Sequence, residues 1–181
     1  MRVIAGRLKG RRLDGPRWEG LRPTSDALRE TLFNILGTRV AGARVLDGHA
    51  GTGALGIEAI SRGAAHVTFV DHDRRALALV ARNLARCGVT GGYAIVAASV
   101  TSVVGRAVAP AFDLILLDPP YAREAPDDLL ARAGEVVSPG GLVVLEHAWR
   151  DTAPARAGRL VRTRQVRAGD SALAFFEIAA P

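Results

Sequence analysis

Cysteine is nearly missing from this 181-residue chain: Cys87 stands alone, so no internal disulfide can form. Such a sequence suits a reducing cytoplasm, the expected compartment. Cys87 falls late in the helical stretch "ARNLARCGV" and reads as a small side chain, not a nucleophile. No stretch approaches the run of about 20 apolar residues that a membrane helix needs. The first residues, "MRVIAGRLKGRRL", are basic and lack the apolar centre of a signal peptide. Internal repeats and low-complexity tracts are absent too. No membrane and no metal are expected among the partners, and nothing demands a dimer, so a monomer is expected. What is present, 49% hydrophobic and 23% charged residues, suits one soluble domain with a sizeable core.

Lysine is equally scarce, Lys9 being the only one among 24 basic residues. The net charge is +6 and the pI near 10.8. Residues 1–40 hold nine basic against four acidic side chains, residues 41–150 ten against eleven, and residues 151–181 five against three. The excess therefore lies at the two ends. A polyanion bound across the termini explains this by phosphate neutralisation, and an arginine-rich proteome is the plainer account. Nucleic acid is the reading favoured here.

Along the chain, residues 2–5 and 11–14 flank "GRLKGR" as a short basic strand pair. Pro16 to Pro23 reads as a linker, so residues 1–23 form a basic N-terminal extension and residues 24–181 the main domain. A helix capped by Thr24 or Ser25 follows, with Leu28, Leu32, Ile35 and Leu36 as its apolar stripe. Asp26, Arg29, Glu30 and Asn34 are expected mostly on its solvated faces. From residue 43 strands and helices alternate: strands at 43–47, 66–71, 93–97, 112–118 and 141–147, with helices between them. Two further strand-like runs join at Gly169-Asp170, a turn signal. The expected fold is α/β: a Rossmann-like, doubly wound, mostly parallel seven-stranded sheet with an antiparallel C-terminal hairpin.

"VLDGHAGTGALG" follows the first of these strands. Gly51-Thr52-Gly53-Ala54-Leu55-Gly56 fits G-x-G-x-x-G, a loop that lets backbone approach a ligand at a helix N-terminus. Asp47 lies four residues before the first glycine, where it would repel a diphosphate and attract a cation. S-adenosylmethionine, with ammonium and sulfonium charges, meets that demand better than NAD. Asp71, 18 residues after Gly53, stands where an acid binds ribose hydroxyls, and Asp73 reads as a helix cap.

The strand "FDLILLD" stops at Asp118-Pro119-Pro120-Tyr121. Ligands of open α/β sheets sit beyond the strands' carboxyl ends, so Asp47, Asp71 and Asp118 should share one crevice. A carboxylate at Asp118 and a carbonyl at Pro119 can accept both hydrogens of a planar exocyclic amine. This aims the nitrogen lone pair at an activated methyl. The prolines stiffen the turn, and Tyr121 offers a face on which an unpaired or flipped base stacks, worth about 1–3 kcal/mol.

These residues resemble the class I S-adenosylmethionine-dependent methyltransferases with a [DN]PP[FY] motif. More narrowly, they resemble the bacterial small-subunit rRNA guanine-N2 methyltransferases. The resemblance covers nearly the whole chain, through "MRVIAGRLKGRRL", "RPTSDALRETLFNIL", "VLDGHAGTGALGIEAISRGA", "FDLILLDPPY" and "GDSALAFFE". It implies N2-methylation of one guanine (position 966 in the usual rRNA numbering) on an assembling small subunit. It carries Asp47, Gly51, Gly53 and Asp71 to the cofactor and Asp118 to Tyr121 to catalysis. Two departures stand out. Gly48-His49 replaces a larger apolar residue and an aromatic, and Ala98-Ser99 occupies the place of an acid that holds the adenine amine; Ser99 is expected to substitute for it. Arg2, Arg7, Lys9, Arg11 and Arg12 are expected to grip RNA phosphates, with Arg22 and Thr24 bordering the site. Open alternatives are adenine-N6 methylation of DNA or RNA, protein-glutamine methylation, an NAD-dependent oxidoreductase and a noncatalytic RNA-binding module.

Overall fold

Strands covered by helices on both faces carry apolar side chains at almost every position, and the runs of the central chain do so. The structure, a computed structural model, describes residues 1–16, 18, 25–107, 111–119 and 126–180. Among the described residues eight strands are formed: β1 (Arg44–Gly48), β2 (His66–Asp71), β3 (Tyr93–Ala97), β4 (Phe112–Leu117), β5 (Val137–Ala148), β6 (Arg156–Ala157), β7 (Leu160–Ala168) and β8 (Ser171–Ile178). Their order is β3-β2-β1-β4-β5-β8-β7-β6. The first five are parallel, and β8, β7 and β6 add on antiparallel. The chain winds outward from β1 to β3, then returns to lay β4 on the other side of β1. The ligand crevice of such a sheet opens at that reversal, beyond the strands' carboxyl ends.

Two details differ from the expected seven strands. The eighth is β6, whose two residues are too few for any alternation to register. In addition, β5 begins at Val137, directly after helix α5 (Pro126–Val136), four residues earlier than its apolar run suggested. The hairpin around Gly169-Asp170 is present, with Ala168 paired to Ser171.

Helices α1 (Asp26–Leu36), α2 (Ala54–Ser61) and α3 (Arg74–Arg86) cover one face, while α4 (Val100–Arg106) and α5 cover the other. Ser25 caps α1, its Oγ accepting from the Leu28 N–H at 3.1 Å; Thr24 lies outside the described residues. Leu28, Leu32, Phe33 and Leu36 form the buried stripe, and Ile35 is only partly buried. Arg29 corrects the expected solvated face, being fully buried. The reason is tertiary: its Nη2 donates to the Arg2 carbonyl at 2.8 Å and to Asp26 Oδ1 at 2.6 Å, so the N-terminal segment lies over it.

That segment is pinned to the helices by polar side chains buried among apolar ones. Glu58 on α2 accepts from the Ile4 and Ala5 N–H groups at 2.7 and 3.0 Å. Ser61 Oγ accepts from Leu8 N–H at 2.9 Å and donates to the Ala5 carbonyl. Asn83 on α3 accepts from Asp14 N–H at 2.8 Å and donates to the Thr52 carbonyl at 2.9 Å, joining the segment to the glycine loop. Val3, Leu8 and Leu13 point into the core. Arg2, Arg7, Lys9, Arg11 and Arg12 stay exposed. An isolated antiparallel bridge pairs Arg2 with Arg12. Between this segment, α1 and α3 lies a cleft of about 770 Å³ lined by Arg2, Arg12 and Arg86 together with Asp14 and Asp26.

Candidate active site

The glycine loop runs from β1 into α2, and its conformation explains the residues that build it. His49, Gly51 and Gly53 all have positive φ, at 63°, 54° and 77°. Left-handed backbone is uncommon for side chains other than Gly, Asn, Asp and His, so His49 occupies a place few residues tolerate. Gly56, the third glycine of the motif, is needed for space. A Cβ there would come within 2.2 Å of the Phe69 ring and 2.8 Å of Asp47 Oδ2. Gly56→Ala is therefore expected to cost about 1–3 kcal/mol of stability by overpacking. Thermal denaturation would show it, and an unchanged melting temperature would contradict the packing argument.

Two of the strand-end acids latch this loop. Asp47 is 1% exposed, and its Oδ2 accepts from the Gly56 N–H at 2.8 Å. Burial pushes its carboxyl up to about 8. The Gly56 hydrogen bond opposes that rise, and the charges of Asp118 and Asp71 add to it. Asp71 accepts from Gly51 N–H at 3.0 Å and from Asp73 N–H at 2.9 Å. Asp73 caps α3, its Oδ1 accepting from Arg75 N–H at 2.8 Å.

Asp118 follows the last residue of β4, its N–H 3.5 Å from the Gly48 carbonyl, and Pro119 comes next. Asp71 and Asp118 thus lie close enough to Asp47 to act on it electrostatically. Gly48, the last residue of β1, is buried, and a Cβ there would meet Leu117 at 3.0 Å and Val100 at 3.2 Å on the face covered by α4 and α5. Ser99 caps α4 instead of standing clear: its Oγ accepts from Ser102 N–H at 3.2 Å and from Thr101 Oγ1 at 3.1 Å. Pro120, Tyr121, Arg22 and Thr24 lie outside the described residues.

Sequence reasoning passed over Glu146, a carboxylate of β5 that is 8% exposed. An acid closing the apolar run "GLVVLEH" was the available signal. The β4–β5 ladder ends with Leu117 paired to Leu145, and Asp118 and Glu146 are the next residue of each chain segment.

A glycine cradle, a desolvated carboxyl that ionises at the approach of a cation, and a helix N-terminus fit a compact cationic nucleoside. Among the described residues no cluster of His, Cys, Asp and Glu suits a metal, and no helix is long and apolar enough to cross a membrane.

Known proteins bear directly on this arrangement. The family model described as conserved hypothetical protein 95 matches residues 1–177. YlbH of Bacillus subtilis is 36% identical over 181 residues, covering 98% of each chain. Ribosomal RNA small subunit methyltransferase D of Escherichia coli is 40% identical over 123 residues, 68% of this chain and 61% of that protein. The solved structure of YhhF from Escherichia coli superimposes with a TM-score of 0.87 at 31% identity, covering 100% of this chain and 99% of the other. A match that begins at the first residue and takes in both the glycine loop and the Asp118 turn settles the kinship: the chain belongs to the conserved hypothetical protein 95 family, that of the ribosomal RNA small subunit methyltransferase D proteins.

Proposed function

We propose that this protein transfers a methyl group from S-adenosylmethionine to the exocyclic N2 amine of a guanine in small-subunit rRNA. The observation that supports the reading is that Asp47 and Asp71 latch the glycine loop and that Asp118, at the end of β4, lies close enough to act on Asp47. Relatives named for rRNA methylation support it. S-adenosylmethionine, when bound, supplies an electrophilic methyl carried on a sulfonium.

The chain's residues do the rest. Asp47 meets the cofactor's positive end, Gly51 and Gly53 let the backbone approach it, and Asp71 takes the ribose hydroxyls. Gly48 and His49 form the wall, and Ser99 borders the adenine. Asp118 and the Pro119 carbonyl accept the two amine hydrogens, while Pro120 stiffens the turn and Tyr121 stacks on the flipped base. The amine lone pair forms the new N–C bond as the S–C bond breaks, and one amine proton then leaves by way of Asp118. Alignment carries much of the rate enhancement, because the methyl is already activated. No strong base is required.

RNA phosphates meet Arg2, Arg7, Lys9, Arg11 and Arg12 on the extension of residues 1–23, with Arg22 and Thr24 bordering the active site of the domain of residues 24–181. The exposure of the first five around buried Val3, Leu8 and Leu13 supports this. The protein would act in the cytoplasm, as a monomer, on rRNA or an assembling subunit.

The test is tritiated methyl transfer to small subunits and to naked rRNA from a strain lacking the gene, followed by nucleoside analysis. N2-methylguanosine is the expected product. N6-methyladenosine would overturn the base assignment, and tight NAD binding without S-adenosylmethionine binding would overturn the activity.

A further inference from the structure

The chemistry at Asp118 does not distinguish one amine-bearing base from another, because guanine, adenine and cytosine all present a planar NH₂. They differ at the ring nitrogen beside it on the Watson–Crick edge. In guanine that atom is N1–H, a donor. In adenine (N1) and cytosine (N3) it is a bare acceptor. An acceptor-only group placed next to the amine holder therefore attracts guanine and repels the other two.

The carboxylate of Glu146 follows Leu145 on β5 as Asp118 follows Leu117 on β4, and Leu117 and Leu145 are paired. The β4–β5 ladder runs Leu114–Leu142, Ile115–Val143, Leu116–Val144, Leu117–Leu145, and Asp118 and Glu146 are the residues that follow its last pair. Leu114, Leu116, Leu142 and Val144 pack in the core beneath α1–α3, while Ile115, Leu117, Val143 and Leu145 pack on the other face. Alternation assigns Glu146 to the α1–α3 face, the face on which Asp47 meets α2 through Gly56, and Asp118 follows β4 close enough to Asp47 to act on its charge. Adjacent strands are about 4.8 Å apart, a spacing at which two carboxylates can receive neighbouring donors of one base edge. The surroundings of Glu146 along the sheet are apolar: Val144 and Leu145 precede it, and its β8 partner Leu173 is 1% exposed. A carboxylate offers about four acceptor positions, so contacts within the protein leave capacity for a base.

We propose that Glu146 determines base specificity, its carboxylate accepting the N1–H of guanine while Asp118 and Pro119 hold the N2 amine. The inference rests on the guanine-N2 reading and extends it to the residue that rejects adenine.

2-Aminopurine isolates the point, because it keeps the amine at C2 but has no N1–H. The experiment uses the full chain and rRNA fragments carrying guanine or 2-aminopurine at the methylated position. Methyl transfer is measured as kcat/KM, and RNA affinity by fluorescence anisotropy. The wild-type protein is expected to prefer guanine by about 30-fold, the scale of a hydrogen bond to a charged group. Glu146→Gln should bring the two bases within about threefold, since an amide accepts from guanine N1–H and donates to the bare N1. Its affinity for the 2-aminopurine fragment should rise as well.

Equal wild-type rates on the two bases would overturn the proposal without any variant. So would a Glu146→Gln protein that retains the full preference. Should that variant not fold, Glu146→Asp replaces it: withdrawing the carboxylate by one methylene should reduce the preference, and an unchanged preference overturns the assignment. Failure of the underlying reading looks different. Wild-type protein that leaves the guanine fragment unmodified, or methylates adenine, removes both claims together.

Discussion

Asp118→Ala is expected to lower methyl transfer by about 10³-fold or more while leaving S-adenosylmethionine affinity within about threefold. The amine lone pair is conjugated with its ring, and without an acceptor on its hydrogens it is not aimed at the methyl. Misplacement of a reacting atom by about 1 Å costs on the order of 100-fold, and the loss of charge stabilisation on the reacting nitrogen adds to that. The cofactor loop should survive, because its latches run from Asp47 to Gly56 and from Asp71 to Gly51 and do not involve Asp118. Removing Asp118 also removes a charge that opposes ionisation of Asp47, which favours a cationic ligand. Asp118→Asn, retaining one carbonyl oxygen, should recover part of the rate. Labelled methyl transfer beside calorimetry of cofactor binding separates the two effects. Unchanged turnover in Asp118→Ala would remove this residue from the mechanism.

The second large effect is a pH dependence written into Asp47. Its carboxyl is raised to about 8, first by burial, so at pH 7 it is mostly protonated in the empty protein. A ligand cation favours the ionised form, and binding at pH 7 should therefore expel one proton. Affinity should climb up to about tenfold per pH unit between about 6 and 8 and level off above. Calorimetry in buffers of different ionisation enthalpy measures the proton directly. No proton release and a flat affinity would contradict the role given to Asp47.

Stability should move the opposite way. Below the unfolded carboxyl pKa of about 4, both states hold the proton and the contribution of Asp47 is complete. As pH rises towards 8 the unfolded chain ionises while the folded one resists. Stability is then lost at up to about 1.4 kcal/mol per unit. Asp47→Asn keeps an oxygen for the Gly56 N–H and cannot ionise. It should flatten that slope and raise the melting temperature near pH 8, while abolishing the pH dependence of cofactor binding. A site group that costs stability when empty is the pattern expected where function conflicts with folding.

Much of this was legible before any coordinates. Apolar runs broken by glycine and closed by an acid announced parallel strands ending at a crevice, because two-sided burial leaves no polar position inside such a strand. Ser25 and Asp73 were readable as caps, since a cap needs only a short polar side chain ahead of a helical pattern. The hairpin turn at Gly169-Asp170 was local in the same way.

Arg29 was not legible. Its burial depends on the carbonyl of Arg2, 27 residues away, and helical spacing knows nothing of a segment folded over it. Glu58, Ser61 and Asn83 escaped for the same reason, their partners lying 53 to 69 residues distant. The capping of α4 by Ser99, expected beside the adenine, was likewise not read from the sequence.

The sequence by itself determined the fold class, the glycine loop, and the acids at the ends of β1, β2 and β4, because each is encoded in hydrophobic period and local turn chemistry. Only the tertiary structure decided which polar groups are buried and which strand ends are paired. Burial and strand register arise from contacts distant along the chain. They shifted the Asp47 carboxyl to about 8 and paired the ends of β4 and β5 through Leu117 and Leu145, the residues just before Asp118 and Glu146.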